Sequence, residues 1–181
     1  MEVLDEIATL GLIKKQMRHS RTARLAVAFW GLGAARNLDI SERRDCVEII
    51  CNLSQGGTNP DEIRTLMGLP QVGCDRIVQN DRLHAKVYLF DDLAIVGSSN
   101  ASTNGLRLEG NELKGWLEAN AVITDADGLA SIRTMFDERF RGRPITETDL
   151  FNAEKTRERL PRRNPPNSRT ILDVLISGPE T

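Results

Sequence analysis

The chain is poor in aromatic residues, which make up 4% of its 181 positions, and it holds only two histidines and three cysteines. Cys46, Cys51 and Cys74 form an odd set with no Cys-x-x-Cys pair. That argues against a disulfide framework and for a reducing compartment. A structural zinc site needs about four clustered Cys or His ligands. His19 and His84 are far apart in sequence, so no metal site is expected. The cysteines read instead as small buried apolar residues. An excess of one charge is missing too: 24 basic residues face 26 acidic ones, a net charge of −2. This excludes a polybasic nucleic-acid coat and an acidic disordered tail. Any contact with a polyanion must come from a local patch. No apolar run approaches the roughly 18 residues of a membrane span. The opening Met-Glu-Val-Leu-Asp-Glu lacks the basic region of a secretory signal. A soluble cytoplasmic protein with no membrane contact is the expectation.

What the chain does have is a 40% hydrophobic content, enough for one sizeable core. Residues 2–19 place Leu4, Ile7, Ala8, Ile13 and Met17 at helical spacing. Arg24 to Trp30 and Asp45 to Leu53 are short apolar runs ending at glycines, and read as buried strands. Between them Gly33 to Asp39 holds one or two helical turns, and Asn59-Pro60 opens a helix to about Met67, with Asn59 as its cap. This β-α-β-α order argues for an α/β fold. Extended segments follow at Arg76–Val78, Arg82–Phe90 and Leu93–Val96, the last two joined as a hairpin by Asp91-Asp92. A further strand is expected over Gly115–Thr124 and a helix over Ala126–Phe140. Trp30 and Trp116 read as core or interface residues.

Past Gly142 the composition changes. Residues 151–170 hold six basic side chains, Arg157, Arg159, Arg162 and Arg163 among them, against Glu154 and Glu158, a net +4. The chain therefore divides into one domain over 1–142 and a basic, proline-containing extension over 143–181. That strip is read either as solvated chain or as a phosphate contact.

The segment Leu83 to Asn100 carries the chemistry. On a strand of period two, Leu83, Ala85, Val87 and Leu89 share one face, and His84 and Lys86 point together to the other. The next hairpin strand runs into Gly97-Ser98-Ser99-Asn100, whose hydroxyl and amide groups can come beside that pair and form an oxyanion pocket. This pattern, His-x-Lys-x4-Asp followed by Gly-Ser-x-Asn, resembles the signature of the phospholipase D superfamily. His84, Lys86, Asp91, Gly97, Ser98 and Asn100 fill every named place. Five residues rather than the usual six separate Asp91 from Gly97, and Asp92 is an alternative for the aspartate, a residue usually structural in that family. Leu117 to Ile123 resembles the family's acid-bearing strand, which would put Glu118 beside the histidine. The resemblance spans roughly residues 20–140.

It implies a phospholipase D-like α/β/α sandwich with a mixed central sheet, and phosphodiester cleavage without metal or cofactor. One imidazole attacks phosphorus and a second protonates the leaving oxygen. The chain has one motif copy, and His19 lacks a matching lysine, so a homodimer with a shared active site is implied. Lys86, Ser98 and Asn100 would hold the non-bridging oxygens, and Glu118 would orient the imidazole. Weaker substrate contacts are assigned to Ser99, Ser102, Arg157, Arg159, Arg162 and Arg163; Thr103 and Asn104 read as a polar turn. DNA is the expected substrate and the expected activity is an endonuclease of the kind found in metal-independent restriction enzymes. Specificity would come from another domain or subunit, or be absent. The alternatives are a hydrolase or transferase of phospholipids or other small phosphodiesters, and a non-catalytic dimeric nucleic-acid-binding module. Gly31-Leu32-Gly33 starts like a dinucleotide-binding loop, but Arg36 stands where the third glycine belongs.

Overall fold

The computed structural model describes residues 2–106 and 116–159. Eight strands form one sheet: β1 (Glu2–Leu4), β2 (Ala23–Val27), β3 (Val47–Cys51), β4 (Ile77–Gln79), β5 (Lys86–Phe90), β6 (Ala94–Gly97), β7 (Asn120–Ile123) and β8 (Arg143–Pro144), in the order β1-β7-β6-β5-β2-β3-β4-β8. Strands β2, β3 and β4 run parallel, and every other neighbouring pair is antiparallel. The helices are α1 (Glu6–His19), α2 (Ala34–Asn37), α3 (Pro60–Gly68), α4 (Thr103–Leu106), α5 (Ala126–Glu138) and α6 (Glu147–Arg159).

Strand alternation divides the apolar side chains between two cores. Leu25, Val27, Tyr88 and Phe90 meet Ile13 and Met17 of α1, Ile63 and Leu66 of α3, and Leu150 and Ala153 of α6. Ala26, Val87 and Leu89 meet Leu129, Ile132 and Phe136 of α5 on the opposite face. The result is an α/β/α sandwich on a mixed sheet. Side-chain caps set the helix starts: Asp5 accepts from the Ala8 amide, Asn59 from Asp61, and Asp125 from Gly128. No described helix is long and apolar enough to cross a membrane.

Several local expectations need correcting. Helical spacing runs back to residue 2, yet Glu2–Leu4 pair antiparallel with β7, because an open sheet edge supplies backbone partners that three residues cannot supply for themselves. Trp30 is fully buried, its indole N–H donating to the Val27 carbonyl, whereas Trp116 is 43% exposed and lies outside the core. Among the cysteines Cys51 alone is buried, and burial pushes its thiol up to about 12. Cys46 and Cys74 are exposed because each precedes the point where its strand enters the sheet.

The composition change after Gly142 does not coincide with the end of packing. Arg143–Pro144 pair with β4, Arg143 makes two hydrogen bonds with Asp149, and Leu150 and Ala153 seat α6 on the core. Two buried positions in a highly charged helix leave almost no apolar pattern to read. Arg162 and Arg163 lie outside the described residues.

Candidate active site

The strand directions gather the motif at one end of the sheet. Val27 pairs with Lys86, Val87 with Val96, and Gly97 with Asn120. The exit of β2, the entry of β5, the exit of β6 and the entry of β7 are therefore side by side. Gly97 sits at the tightest of these crossings. A Cβ there would fall 2.2 Å from Asn120 Oδ1 and 2.5 Å from the Ala119 carbonyl, so only glycine lets β6 and β7 close.

His84 precedes β5 and is exposed, while Leu83 and Val87 are buried in the α5-side core, as the alternation requires. The Lys86 ammonium lies 3.4 Å from His84 Nδ1 and 3.5 Å from Nε2, and donates to the His84 carbonyl at 2.7 Å. Burial pushes the Lys86 pKa down, and the negative charge of Glu118 opposes that shift. Glu118 is half-buried. Its backbone N–H donates to the buried Glu6 carboxylate, and no hydrogen bond joins it to His84 within the chain. Its electrostatic partner here is the lysine.

Ser98 is tied to the β7 approach, its Oγ accepting from the Ala119 amide at 3.1 Å and donating to the Ala119 carbonyl at 3.4 Å. Asn100 is half-buried, and its Oδ1 accepts from the Phe29 amide, which fixes which end of the side-chain amide is nitrogen. Ser99 is fully buried: its Oγ accepts from Asn120 Nδ2, and its carbonyl accepts from the Tyr88 hydroxyl. That leaves it no surface for substrate. Ser102 Oγ accepts from the Gly105 amide at the start of α4, where Thr103 also lies. Asn104 accepts from the Trp116 amide through its carbonyl. Arg157 and Arg159 are exposed at the end of α6.

Asp91, not Asp92, anchors the hairpin. Its carboxylate accepts from the Arg21 and Thr22 amides and from the Thr22 hydroxyl. Partial burial pushes its pKa up, but these hydrogen bonds and the Arg43 charge outweigh that and hold it below the usual carboxylate value. A depressed folded-state pKa stabilises the fold above the unfolded value of about 3.9, and this contribution is lost as pH falls through the folded value. Asp91→Asn is therefore expected to cost about 1 kcal/mol near neutral pH, a modest figure because the site is exposed. The gap to wild type should shrink toward pH 3. Urea denaturation of both proteins at pH 7 and pH 3 checks this; a gap independent of pH refutes it.

Two side chains at the site carry no sequence signal. Asn52, fully buried after β3, donates to the carbonyls of Asp81 and Leu83 and so sets the path of the chain into His84. Phe29 follows β2 and lies against both His84 and Lys86. Asn52 sits in a glycine-bounded apolar run and Phe29 in a core-like one, so neither stands out in the sequence.

His19 is elsewhere. Its Nδ1 lies 2.7 Å from the Lys15 carbonyl, thirteen residues along α1 from Glu6, or about 20 Å of helix. The loop at Gly31-Leu32-Gly33 is likewise committed internally. The amides of Gly33 and Ala35 both donate at 2.6 Å to the buried Glu62 carboxylate, taking the place a dinucleotide phosphate would need.

No protein-family model matches the chain, and no curated protein sequence does. Solved structures do. NucT from Helicobacter pylori superposes with a TM-score of 0.56 at 17% identity, over 76% of this chain and 95% of that one. The fold is phospholipase D-like. Phosphatidylserine synthase from Haemophilus influenzae gives a TM-score of 0.59 at 19% identity, covering 87% of this chain but 42% of the synthase. TrmBL2, an archaeal chromatin protein with a novel mode of DNA binding, gives 0.51 at 10% identity, over 80% of this chain and 54% of that one. At these identities the likeness establishes the phospholipase D-like architecture, and the chemistry has to be argued from this chain's own residues.

Proposed function

We propose that the protein is a metal-independent phosphodiesterase, a DNA endonuclease that works through a phosphohistidine in a homodimer. The observation that carries the reading is the pairing of an exposed imidazole with a nearly buried ammonium, 3.4 Å apart, at the strand ends that also present Ser98 and Asn100. An imidazole nitrogen of His84 attacks phosphorus as the bond to the leaving oxygen breaks. His84 of the partner subunit gives that oxygen its proton. Water then attacks the phosphohistidine, the second imidazole takes the water's proton, and His84 is released. Lys86 and the Asn100 amide nitrogen hold the non-bridging oxygens and offset the charge that builds on them. The negative charge of Glu118 favours the ammonium form of Lys86 and opposes the larger effect of its burial.

DNA is the substrate favoured here, with Arg157 and Arg159 adding sequence-independent phosphate affinity. The reaction as written takes its nucleophile and its acid from imidazoles and uses no metal ion. Hydrolysis of plasmid DNA is therefore expected to persist in excess chelator. Loss on chelation with recovery in magnesium overturns the phosphohistidine route. Parallel assays on phospholipid vesicles separate a lipid hydrolase from a nuclease. DNA binding without turnover of either substrate identifies a binding module.

A further inference from the structure

We infer that Phe29 is a positioning residue for the His84–Lys86 pair, held in place by the Gly56-Gly57 turn. The inference rests on the proposed reaction at that site, and one of its tests does not depend on turnover. A single residue outside the motif touches three motif residues. Its backbone N–H donates to Asn100 Oδ1 at 3.2 Å, its ring packs edge to face with the His84 imidazole at 5.7 Å between centroids, and Lys86 Nζ lies over the ring, 5.6 Å from its centroid. An edge-to-face neighbour restricts rotation of the imidazole, and the negative ring face favours an ammonium that burial disfavours.

The Gly56-Gly57 turn also lies against the ring. Gly56 has φ +73, the left-handed region, and the turn it makes brings the Gly57 backbone onto the ring. A Cβ at Gly57 would fall 2.6 Å from Cγ and Cδ1 of Phe29 and 2.9 Å from Cδ2. The loop is pinned as well. Thr58 Oγ1 donates to the carbonyls of Ala28 and Asn52, and the Asn59 amide donates to the Trp30 carbonyl, one residue either side of Phe29. The ring thus meets Gly57 and the Lys86 ammonium as well as the imidazole. Its work is on the protein's own groups.

A positioning role predicts a loss in kcat rather than in KM. Phe29→Leu keeps an apolar side chain of similar size but removes the ring. Gly57→Ala keeps the ring but forces it to move. Each is expected to lower kcat on DNA about 10- to 100-fold with KM within about twofold, the scale of a misplacement of around 1 Å. Phe29→Tyr, which retains the ring, should recover most of the rate. The second readout is the NMR signal of the two imidazoles in the unliganded protein: the His84 resonances should move or broaden in Phe29→Leu and Gly57→Ala, with those of His19 unchanged. Unaltered kcat, a loss confined to KM, or His84 resonances identical to wild type in both variants overturns the inference. A wild-type protein without turnover defeats the proposed reaction instead, and the NMR comparison then decides the role of Phe29 alone.

Discussion

Replacing His84 by alanine is expected to lower DNA cleavage by about 10^4-fold or more, because in the proposed reaction His84 is the group that forms the covalent intermediate. Among the described residues, the nitrogen nucleophile beside it is Lys86. It is committed to the His84 carbonyl, and its ammonium form has no lone pair with which to attack. His19 lies at the opposite end of α1 from Glu6, whose carboxylate meets the Glu118 amide. The cost to stability should be small, within about 0.5 kcal/mol, since the imidazole is exposed and both cores are built without it. Turnover on supercoiled DNA and a thermal melt of the same preparation test both halves. A His84→Ala protein that folds and still cleaves moves the chemistry to other residues.

Mixing wild-type and His84→Ala subunits should lower activity with roughly the square of the wild-type fraction, to about a quarter in an equal mixture, provided subunits exchange freely. The reason is a count of imidazoles. In the proposed reaction, attack on phosphorus and protonation of the leaving oxygen take two histidines at one phosphate, and each chain brings a single one to the sheet end. A mixed dimer has a nucleophile or an acid but not both, so it is inert or stops at the covalent stage. A monomer should be nearly inactive for the same reason. A linear decline, with sedimentation as a monomer at the assay concentration, shows that each chain holds a complete site.

Parts of this arrangement are legible in the order of residues alone. The two-residue period from Leu83 to Leu89 places His84 and Lys86 together, Asp91-Asp92 marks the hairpin, and Asn59-Pro60 marks the start of α3; all three are local and need no distant partner. The choice between Asp91 and Asp92 is not local. It is made by the amides of Arg21 and Thr22, some seventy residues earlier in the chain. Ser98 stands at the motif's named serine and Ser99 next to it, and the chain path after β6 turns the first to the surface and buries the second against Asn120.

The sequence by itself determined an α/β chain with a phospholipase D-like motif on a hairpin, because periodicity, caps and turn residues act over a few positions. Tertiary structure alone decided which chain segments meet that motif. Strand pairing brings Phe29 beside His84, and Asn52 holds the carbonyl just before that histidine. It joins Glu118 to Lys86 by charge and seats α6 on the core through Leu150 and Ala153. Each of these contacts spans tens of residues, and their identities carry no local pattern: a phenylalanine in an apolar run and a leucine in a charged helix take on their roles only when the sheet order is set.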